Sequence, residues 1–420
     1  MSAETPLISA LPRPAADGFA GVRTRARKRF VELGLPTRAN EAWKFTDLTS
    51  LGAETWPRAK PGGVADTLPP ALGRRVVWND GVLGENDARS LVASLTDLAD
   101  APPPALVELL GSLASEGDPI AALNTALFDH GVWIDVPENE HPTGALELVF
   151  ATNARDAPAA THARIVLRLG AGSRLTLIER HVGGSETPSL STRVSEIVLE
   201  AGAELTHLRL NEAAGNTTLL GHTAVHVGEQ AHYRCLALDL GAKLARETLD
   251  VALEGNDGGT DLAGLALLDG KRHSDQHVTV EHKGLCTRSR QNFRGVLDGR
   301  SRGIYSGLVR VQPGAQKSDS GQESANLLLS PRAEADVRPQ LEIYADDVAC
   351  NHGSAIGAID PDALFYLQSR GVDADAARRM IAYGFAVRTL NMIEDESLRR
   401  ALAGLIADRL DAPAEVREWL

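Results

Sequence analysis

Residues 164–178 read Arg-Ile-Val-Leu-Arg-Leu-Gly-Ala-Gly-Ser-Arg-Leu-Thr-Leu-Ile, which is an apolar strand pattern, a glycine-containing corner and a second strand pattern. The same order returns over 196–208, where Ala201-Gly202-Ala203 separates two further apolar runs. A strand pattern that recurs with similar corners is typical of a coil in which one turn stacks on the next. The recurrence therefore favours a β-helix.

Strand patterns dominate the chain from about residue 145, and a β-sandwich and a β-barrel are the alternatives to the β-helix. Further corner signals lie at Gly228-Glu229 and Gly241-Ala242. Hairpin turns of the Asn-Gly or Asp-Gly type are few, so the strands are not obviously paired with their sequence neighbours. The β-helix remains the favoured interpretation.

Helical patterns flank the β region. The first 140 residues are mixed, with a helix predicted over 17–34. Near the other end, Asp360-Pro361 forms an N-cap followed by proline at the first helical position, and Gly371 ends that helix. The sequence thus predicts a mainly β protein with an N-terminal helical and mixed region (1–140), a β-helix core (141–358) and a C-terminal helical domain (359–420).

Composition limits the functions that are open to the chain. The formal net charge of −13 argues against a general nucleic-acid binder, because phosphates require a basic surface. No apolar run reaches the length of about 18 residues that a membrane span needs, and the N-terminus lacks the pattern of a secretory signal. Cys235, Cys286 and Cys350 lie far apart and predict no disulfide framework. We therefore expect a cytoplasmic protein that binds neither nucleic acid nor membrane.

Sites for nucleotide hydrolysis and for a resident metal are poorly supported. The stretch from Gly264 to Gly270-Lys271-Arg272 has one residue too many for a phosphate-binding loop, and arginine replaces the hydroxyl that would bind magnesium. Three isolated cysteines cannot supply the four thiolates of a typical stable iron–sulfur cluster. Two groups of histidines lie close together in sequence: His222, His226 and His232, and His273, His277 and His282. We expect these histidines to face solvent or to form hydrogen bonds within the sheet.

Cys350 and His352 form a different kind of pair. They lie near the end of Leu341–Gly353, which begins as an alternating strand, and in an extended strand they point to the same face. Both side chains are good ligands for iron, but two ligands cannot hold a cluster alone. The pair therefore predicts an interface site that another chain completes. A buried cysteine beside a hydrogen-bonded histidine is the alternative.

The helix predicted after Gly371 has a wide apolar surface made of two neighbouring stripes. A surface of this width can be buried partly on its own domain and partly on a partner, although burial within the chain alone is also open. The candidate partner-binding residues on this surface are Met380, Ile381, Phe385, Leu390 and Met392.

Several motifs resemble those of the SufB/SufD family of the SUF system for iron–sulfur cluster biogenesis. They are Gln291-Asn292-Phe293-Arg294-Gly295, Gly303-Ile304-Tyr305-Ser306-Gly307, Cys350-Asn351-His352-Gly353 and Leu364-Phe365-Tyr366-Leu367-Gln368-Ser369-Arg370-Gly371. Near the N-terminus, Glu41-Ala42-Trp43-Lys44-Phe45-Thr46 is similar to the D-type members of the family. The resemblance covers most of the chain, although residues 50–140 carry little of it.

The resemblance implies a right-handed parallel β-helix in a non-catalytic scaffold subunit of a SufBCD complex. It further implies that the β-helix pairs with the B-type subunit, SufB, and that the C-terminal helices dock the ATPase SufC. A nascent cluster or iron would be bound only transiently, at the interface with SufB, with His352 as a ligand and Cys350 as the weaker candidate. The isolated chain could also form a homodimer.

Two other functions stay open. The chain could be the B-type scaffold itself, with Cys235 or Cys286 accepting sulfur as a persulfide. More distantly, it could be a β-helix enzyme that acts on polysaccharides, but such enzymes usually work outside the cell with clustered carboxylates in an exposed groove.

Overall fold

The computed structural model describes residues 6–9, 11, 15–60, 68–114, 117–153, 156–413 and 416, so the first residues used to assess a secretory signal, 1–5, lie outside it. The helices within the described ranges are α1 (Pro6–Ser9), α2 (Ala20–Leu33), α3 (Thr49–Gly52), α4 (Pro104–Leu109), α5 (Pro119–Leu127), α6 (Pro361–Ser369), α7 (Ala374–Val387) and α8 (Glu396–Arg409). Short 3-10 segments lie at Glu41–Trp43 and Arg388–Met392.

Strands make up most of the regular structure. They are β1 (Arg74–Asn79), β2 (Val82–Asn86), β3 (Val92–Ser94), β4 (His130–Val136), β5 (Ala145–Thr152), β6 (Ala159–Leu169), β7 (Arg174–Leu199), β8 (Glu204–Asn211), β9 (Ala214–Val227), β10 (His232–Asp239), β11 (Leu244–Leu253), β12 (Gly259–Leu268), β13 (His273–His282), β14 (Arg288–Leu297), β15 (Arg302–Val311), β16 (Asp319–Leu328), β17 (Glu334–Ile343) and β18 (Ala349–Ala358). Strands occupy 45% of the chain and helices 21%, so the fold is mainly β, as predicted.

The strands form a parallel solenoid of about 8 turns, with two sheets as its walls. Sheet 1 runs through β1, β5, the first half of β7, β8, β10, β12, β14, β16 and β18. Sheet 2 runs through β4, β6, the second half of β7, β9, β11, β13, β15 and β17. Within these two sheets, each strand pairs in parallel with the equivalent strand of the next turn, while β2 and β3 add antiparallel pairs to β1 and β4 at the first turn. The prediction of a β-helix with helices at both ends is therefore confirmed.

The corners of the solenoid explain the recurring glycines. Gly172 has φ of 65° and Gly202 has φ of 67°, a backbone conformation that side chains with a Cβ rarely adopt. At Gly172 a Cβ would also lie 2.6 Å from the Asn139 side-chain oxygen of the preceding turn. The glycines thus allow the chain to turn sharply while successive corners stack closely.

The interior of the solenoid is largely apolar, but one part of it is ionic. Side chains of both sheets, such as Leu249 and Leu262, form the largest hydrophobic cluster. Elsewhere inside, Arg193 lies 2.5 Å from both Glu179 and Glu247, and its side chain is only 4% exposed. These buried charges are tolerated because each one faces an opposite charge.

The N-terminal region covers the outer face of sheet 2. Its segment Glu41–Thr46 lies across several strands, where the Trp43 ring stacks against the Arg246 guanidinium at 3.9 Å. Arg246 forms an ion pair with Asp275, and the Thr46 hydroxyl donates a hydrogen bond to the same carboxylate. The segment singled out by the D-type resemblance therefore fastens the N-terminal region to the solenoid.

The C-terminal helices cover the outer face of sheet 1. Leu236, Leu238 and Leu265 of the sheet pack with Tyr383 of α7 and Leu402 of α8 in one hydrophobic cluster. Among the described residues, no helix is both long and apolar enough to cross a membrane.

A buried histidine links the N-terminal region to sheet 2. His222 of β9 is fully buried, and its ring nitrogens lie 3.6 Å from Asp118, the N-cap of α5, and 3.1 Å from Asp250 of β11. Burial alone would lower the pKa of His222, but the two carboxylates outweigh it and raise the pKa to about 10. At neutral pH the histidine is therefore a cation that holds α5 against the sheet.

Replacing His222 with glutamine should destabilise the chain by about 3 kcal/mol at pH 7, since Asp118 and Asp250 lose their shared cation. The native pKa lies above the ordinary value of 6.5, so the contribution of His222 is complete at lower pH and is lost as pH rises through about 10. Urea unfolding of both proteins at a series of pH values between these limits would measure the difference. A difference that stays constant up to the higher limit would contradict a charged His222.

Candidate functional site

The last strand of sheet 1, β18, forms an exposed edge. Of the described strands, only β16 pairs with it in the sheet, so its other backbone edge is open. Nine of its ten residues are exposed, and Cys350 is half-buried. The final strand of sheet 2, β17, likewise pairs only with β15 among the described strands. The solenoid thus ends in two open strand edges.

Cys350 and His352 lie on this terminal strand and face the same side. Cys350 is paired in register with Ser320, and His352 with Gln322, whose side chain is fully buried. His352 is exposed, and no described residue forms a hydrogen bond or an ion pair with its ring. A partner that reaches the open end of the solenoid can therefore contact His352 directly.

The thiol of Cys350 is less available than the His352 ring. It packs against the apolar interior, and this burial raises the pKa of Cys350 above its ordinary value. The thiolate is the form that binds metals, and it is scarce at neutral pH when the pKa is raised. Cys350 is consequently the weaker ligand of the two.

The described residues contain no group of three or more His, Cys, Asp or Glu side chains that could hold a metal ion. At the open end, the two donors Cys350 and His352 fall short of the four that a cluster usually requires. Any cluster bound there needs donors from outside the described part of this chain.

The other two cysteines lie elsewhere in the solenoid. Cys235 points into the core and is 1% exposed, whereas Cys286 is half-buried at a corner. The hydroxyl of Tyr233 and the ring of His207 are hydrogen-bonded to each other beside Cys235. A sulfur donor would have to pass through packed side chains to reach Cys235.

Most of the histidines that lie close together in sequence are engaged separately. His226 pairs with Glu254 at 3.5 Å, and His232 with Asp261 at 2.7 Å. His282 lies within hydrogen-bond distance of Thr287 and Ser289. His273 contacts the Thr46 hydroxyl at 3.0 Å. The contacts of His226, His232 and His282 lie within the solenoid, as expected, whereas the contact of His273 is with the N-terminal region.

The stretch whose spacing departs from that of a phosphate-binding loop forms a tight turn. Gly270-Lys271-Arg272 lies between β12 and β13, and a strand follows it instead of a helix. A phosphate-binding loop places its ligand at the N-terminus of a helix. The geometry of this turn therefore differs from that of a nucleotide site.

The five candidate partner-binding residues are not equally accessible. Leu390 is 1% exposed in the cluster that joins the C-terminal helices to sheet 1, so a partner cannot reach it without displacing the core. Met380, Phe385 and Met392 are half-buried against the same cluster. Ile381 is half-buried and lies outside that cluster, so of the five residues it is the one that a partner can contact with the least disturbance of the core.

Sequence reasoning missed a set of exposed apolar side chains near the open end. They are Ile343 (41% exposed), Tyr344 (60%), Ile356 (50%), Phe365 (70%) and Tyr366 (58%). Helix α6, which carries the last two, has no buried residue. The adjacent aromatic residues 365 and 366 on a short helix were the available signal, because contiguous exposed apolar residues often mark an interaction site.

Comparisons with known proteins agree with the fold and the motifs. A family model described as "SUF system FeS cluster assembly, SufBD core domain" matches residues 150–385. An iron–sulfur cluster assembly SufBD family protein of Synechocystis sp. is 29% identical over 90% of this chain and 88% of its own length. The iron–sulfur cluster assembly protein SufD of Escherichia coli is 28% identical over 92% of each chain.

A third relative, SufD of Bacillus subtilis, is 26% identical over 68% of this chain and 66% of its own. The family model covers more than half of the 420 residues, and it includes both the strand that carries His352 and most of α7. The chain therefore belongs to the SufBD family of the SUF iron–sulfur cluster assembly system and is of the SufD type.

Proposed function

We propose that the chain is a non-catalytic scaffold subunit of a SufBCD complex, which pairs with SufB through the open end of its solenoid and docks SufC through its C-terminal helices. In this role it contributes His352 to a site where a nascent cluster is assembled. The cluster is the cargo of the complex and is transferred to other proteins after assembly. The single observation that carries the proposal is the exposed His352 on an open edge strand, whose ring has no partner among the residues that the structure describes.

The open strand edges support pairing with a second solenoid. An unpaired edge presents a row of backbone donors and acceptors, and water is their only alternative to another strand. A partner with the same architecture can extend both β17 and β18, because two equivalent sheets then meet end to end. In the absence of SufB, a second copy of this chain offers the same edges, so we expect the isolated chain to form a homodimer through them.

Exposed apolar residues lie beside those edges and give the contact a hydrophobic component. Ile343 and Tyr344 are at the end of β17, and Ile356 is on β18. Side chains of this kind favour association because burial removes about 25 cal/mol of unfavourable hydration per Å² of apolar surface. The pairing therefore gains stability from the side chains as well as from the backbone.

Docking of SufC is supported by the surface of the C-terminal helices. Phe365 and Tyr366 are the most exposed aromatic residues of α6, and Ile381 of α7 lies outside the core cluster. Helices α6 and α7 contact each other, so these residues belong to one helical unit. An apolar surface on this unit gives the ATPase a place to attach, and the movement of SufC on ATP hydrolysis would then be transmitted to the solenoid.

Replacing His352 with alanine should leave the assembled complex intact but strongly reduce its iron and acid-labile sulfide, because a cluster ligand is lost. Native mass spectrometry would give the subunit ratio, and metal and sulfide analysis would give the cargo. The matched control is Ser354→Ala, two residues further along the same exposed face, which should retain the cargo. Normal iron and sulfide in the His352 variant would refute the assignment of the ligand.

Replacing both Phe365 and Ile381 with aspartate should weaken SufC binding by about tenfold or more, since charge would enter an apolar contact. Pull-down and titration calorimetry with purified SufC would measure the loss, and pairing with SufB should persist. Arg400→Asp on the exposed side of α8 is the control, because it introduces the same charge away from this surface. Undiminished binding of the double variant would show that SufC docks elsewhere.

The B-type alternative requires a cysteine that accepts sulfur. Mass spectrometry after incubation with a cysteine desulfurase separates the two functions, since persulfide on Cys235 or Cys286 would favour the B-type role. The burial of Cys235 argues against that outcome in the folded chain.

A further inference from the structure

A polar groove lies on the outer face of sheet 1, close to the open end of the solenoid. It has a volume of about 800 Å³ and is bounded by strands β12, β14, β16 and β18 on one side and by the 3-10 segment Arg388–Met392 on the other. Volumes of this size are typical of sites for small ligands. The groove is on the opposite side of β18 from His352, because Asn351 contributes to its lining.

The charges in the groove are unusual for a chain with a net charge of −13. Four arginines and three carboxylates line it. Two of the arginines are neutralised: Arg234 lies 3.3 Å from Glu204, and Arg290 lies 2.5 Å from Asp319. The other two, Arg294 and Arg388, have no carboxylate within ion-pair distance among the described residues.

Arg294 and Arg388 are also close enough to repel each other. Burial and the nearby charge of Arg388 both lower the pKa of Arg294, and Glu323 attracts it only from beyond ion-pair distance. Arginine keeps its proton in proteins, so the repulsion is not relieved by titration. The Arg294 guanidinium is held in place over the Phe385 ring, 5.0 Å from its centroid. The Arg294 guanidinium, held over Phe385, and the exposed Arg388 therefore face one concave surface, which the carboxylates of Glu323 and Glu394 also line.

A buried hydroxyl provides a second, independent indication of a ligand. Thr389, which also lines the groove, is 3% exposed, and no residue in the described part of the chain forms a hydrogen bond with its hydroxyl. A buried polar group without a partner costs about 1–3 kcal/mol, so such groups are normally satisfied. The side-chain amides of Asn292 and Asn351 add further donors to the lining.

We infer that this groove binds a small polyanion, a phosphate ester or a polycarboxylate, with Arg294 and Arg388 as the main charge partners and Thr389 as a hydrogen-bond donor. Guanidinium groups bind both kinds of anion through paired hydrogen bonds. The inference is independent of the cluster site, since none of the groove residues is needed to hold iron.

Titration calorimetry of the full chain with pyrophosphate and, separately, with citrate tests the inference. We expect one anion to bind per chain, with affinity that falls as salt is added. The double variant Arg294→Gln/Arg388→Gln should lose about a hundredfold in affinity, or about tenfold for each arginine. Binding of pyrophosphate alone assigns a phosphate ester, and binding of citrate alone assigns a polycarboxylate.

The matched control is Arg300→Gln/Arg332→Gln, which removes two exposed arginines that do not line the groove. It should bind the anion as the wild type does. Thermal unfolding without anion shows whether the groove variant is folded, so that a loss of binding is not mistaken for a loss of structure. Removing the repulsion between Arg294 and Arg388 should leave this variant at least as stable as the wild type. Equal losses in both double variants, or no binding of either anion to the wild type, would overturn the inference.

Discussion

The parallel pairing of each strand with the equivalent strand one turn later is the constraint on which the rest of the structure depends. In-register stacking satisfies the backbone of every internal turn, but it leaves the first and last turns with one open side each. At the first turn the chain covers that side itself, because β2 and β3 pair antiparallel with β1 and β4. At the last turn β17 and β18 remain open, and the candidate ligand His352 lies on that open side.

The two outer faces of the solenoid are used differently. Sheet 2 is covered by the N-terminal region, which is fastened by polar and charged contacts such as those of His222 and Trp43. Sheet 1 is covered by C-terminal helices through an apolar cluster, which borders the polar groove near the last turn at Ala263 and Met392. The surfaces proposed for partners and ligands therefore gather at the end of the solenoid that the chain leaves uncovered.

Local pattern was sufficient to predict the strand-and-corner architecture, the capped helix that begins at Pro361 and the shared orientation of Cys350 and His352. These features depend on residues close in sequence. The exposure of His352 depends on β18 being the last strand of its sheet. Pairing between turns cannot be predicted from local sequence, because residues that contact each other across turns, such as Thr287 and Ser318, are 31 positions apart. Helical periodicity likewise showed a wide apolar surface on α7 but not that Leu390 lies in the core. The juxtaposition of Arg294 and Arg388 joins a strand to a distant helical segment and had no sequence signal.

The regular spacing between paired strands also has a consequence for synthesis. A new turn needs only the turn before it as a template, so the solenoid can lengthen from its N-terminal end while the chain is still leaving the ribosome. The C-terminal helices are made last, and their docking sites on Leu236 and Leu265 already exist by then. The open last turn is completed just before those helices. The edge that carries His352 is therefore the last strand edge of the solenoid to form, and it is still free to pair when the finished chain meets its first partner.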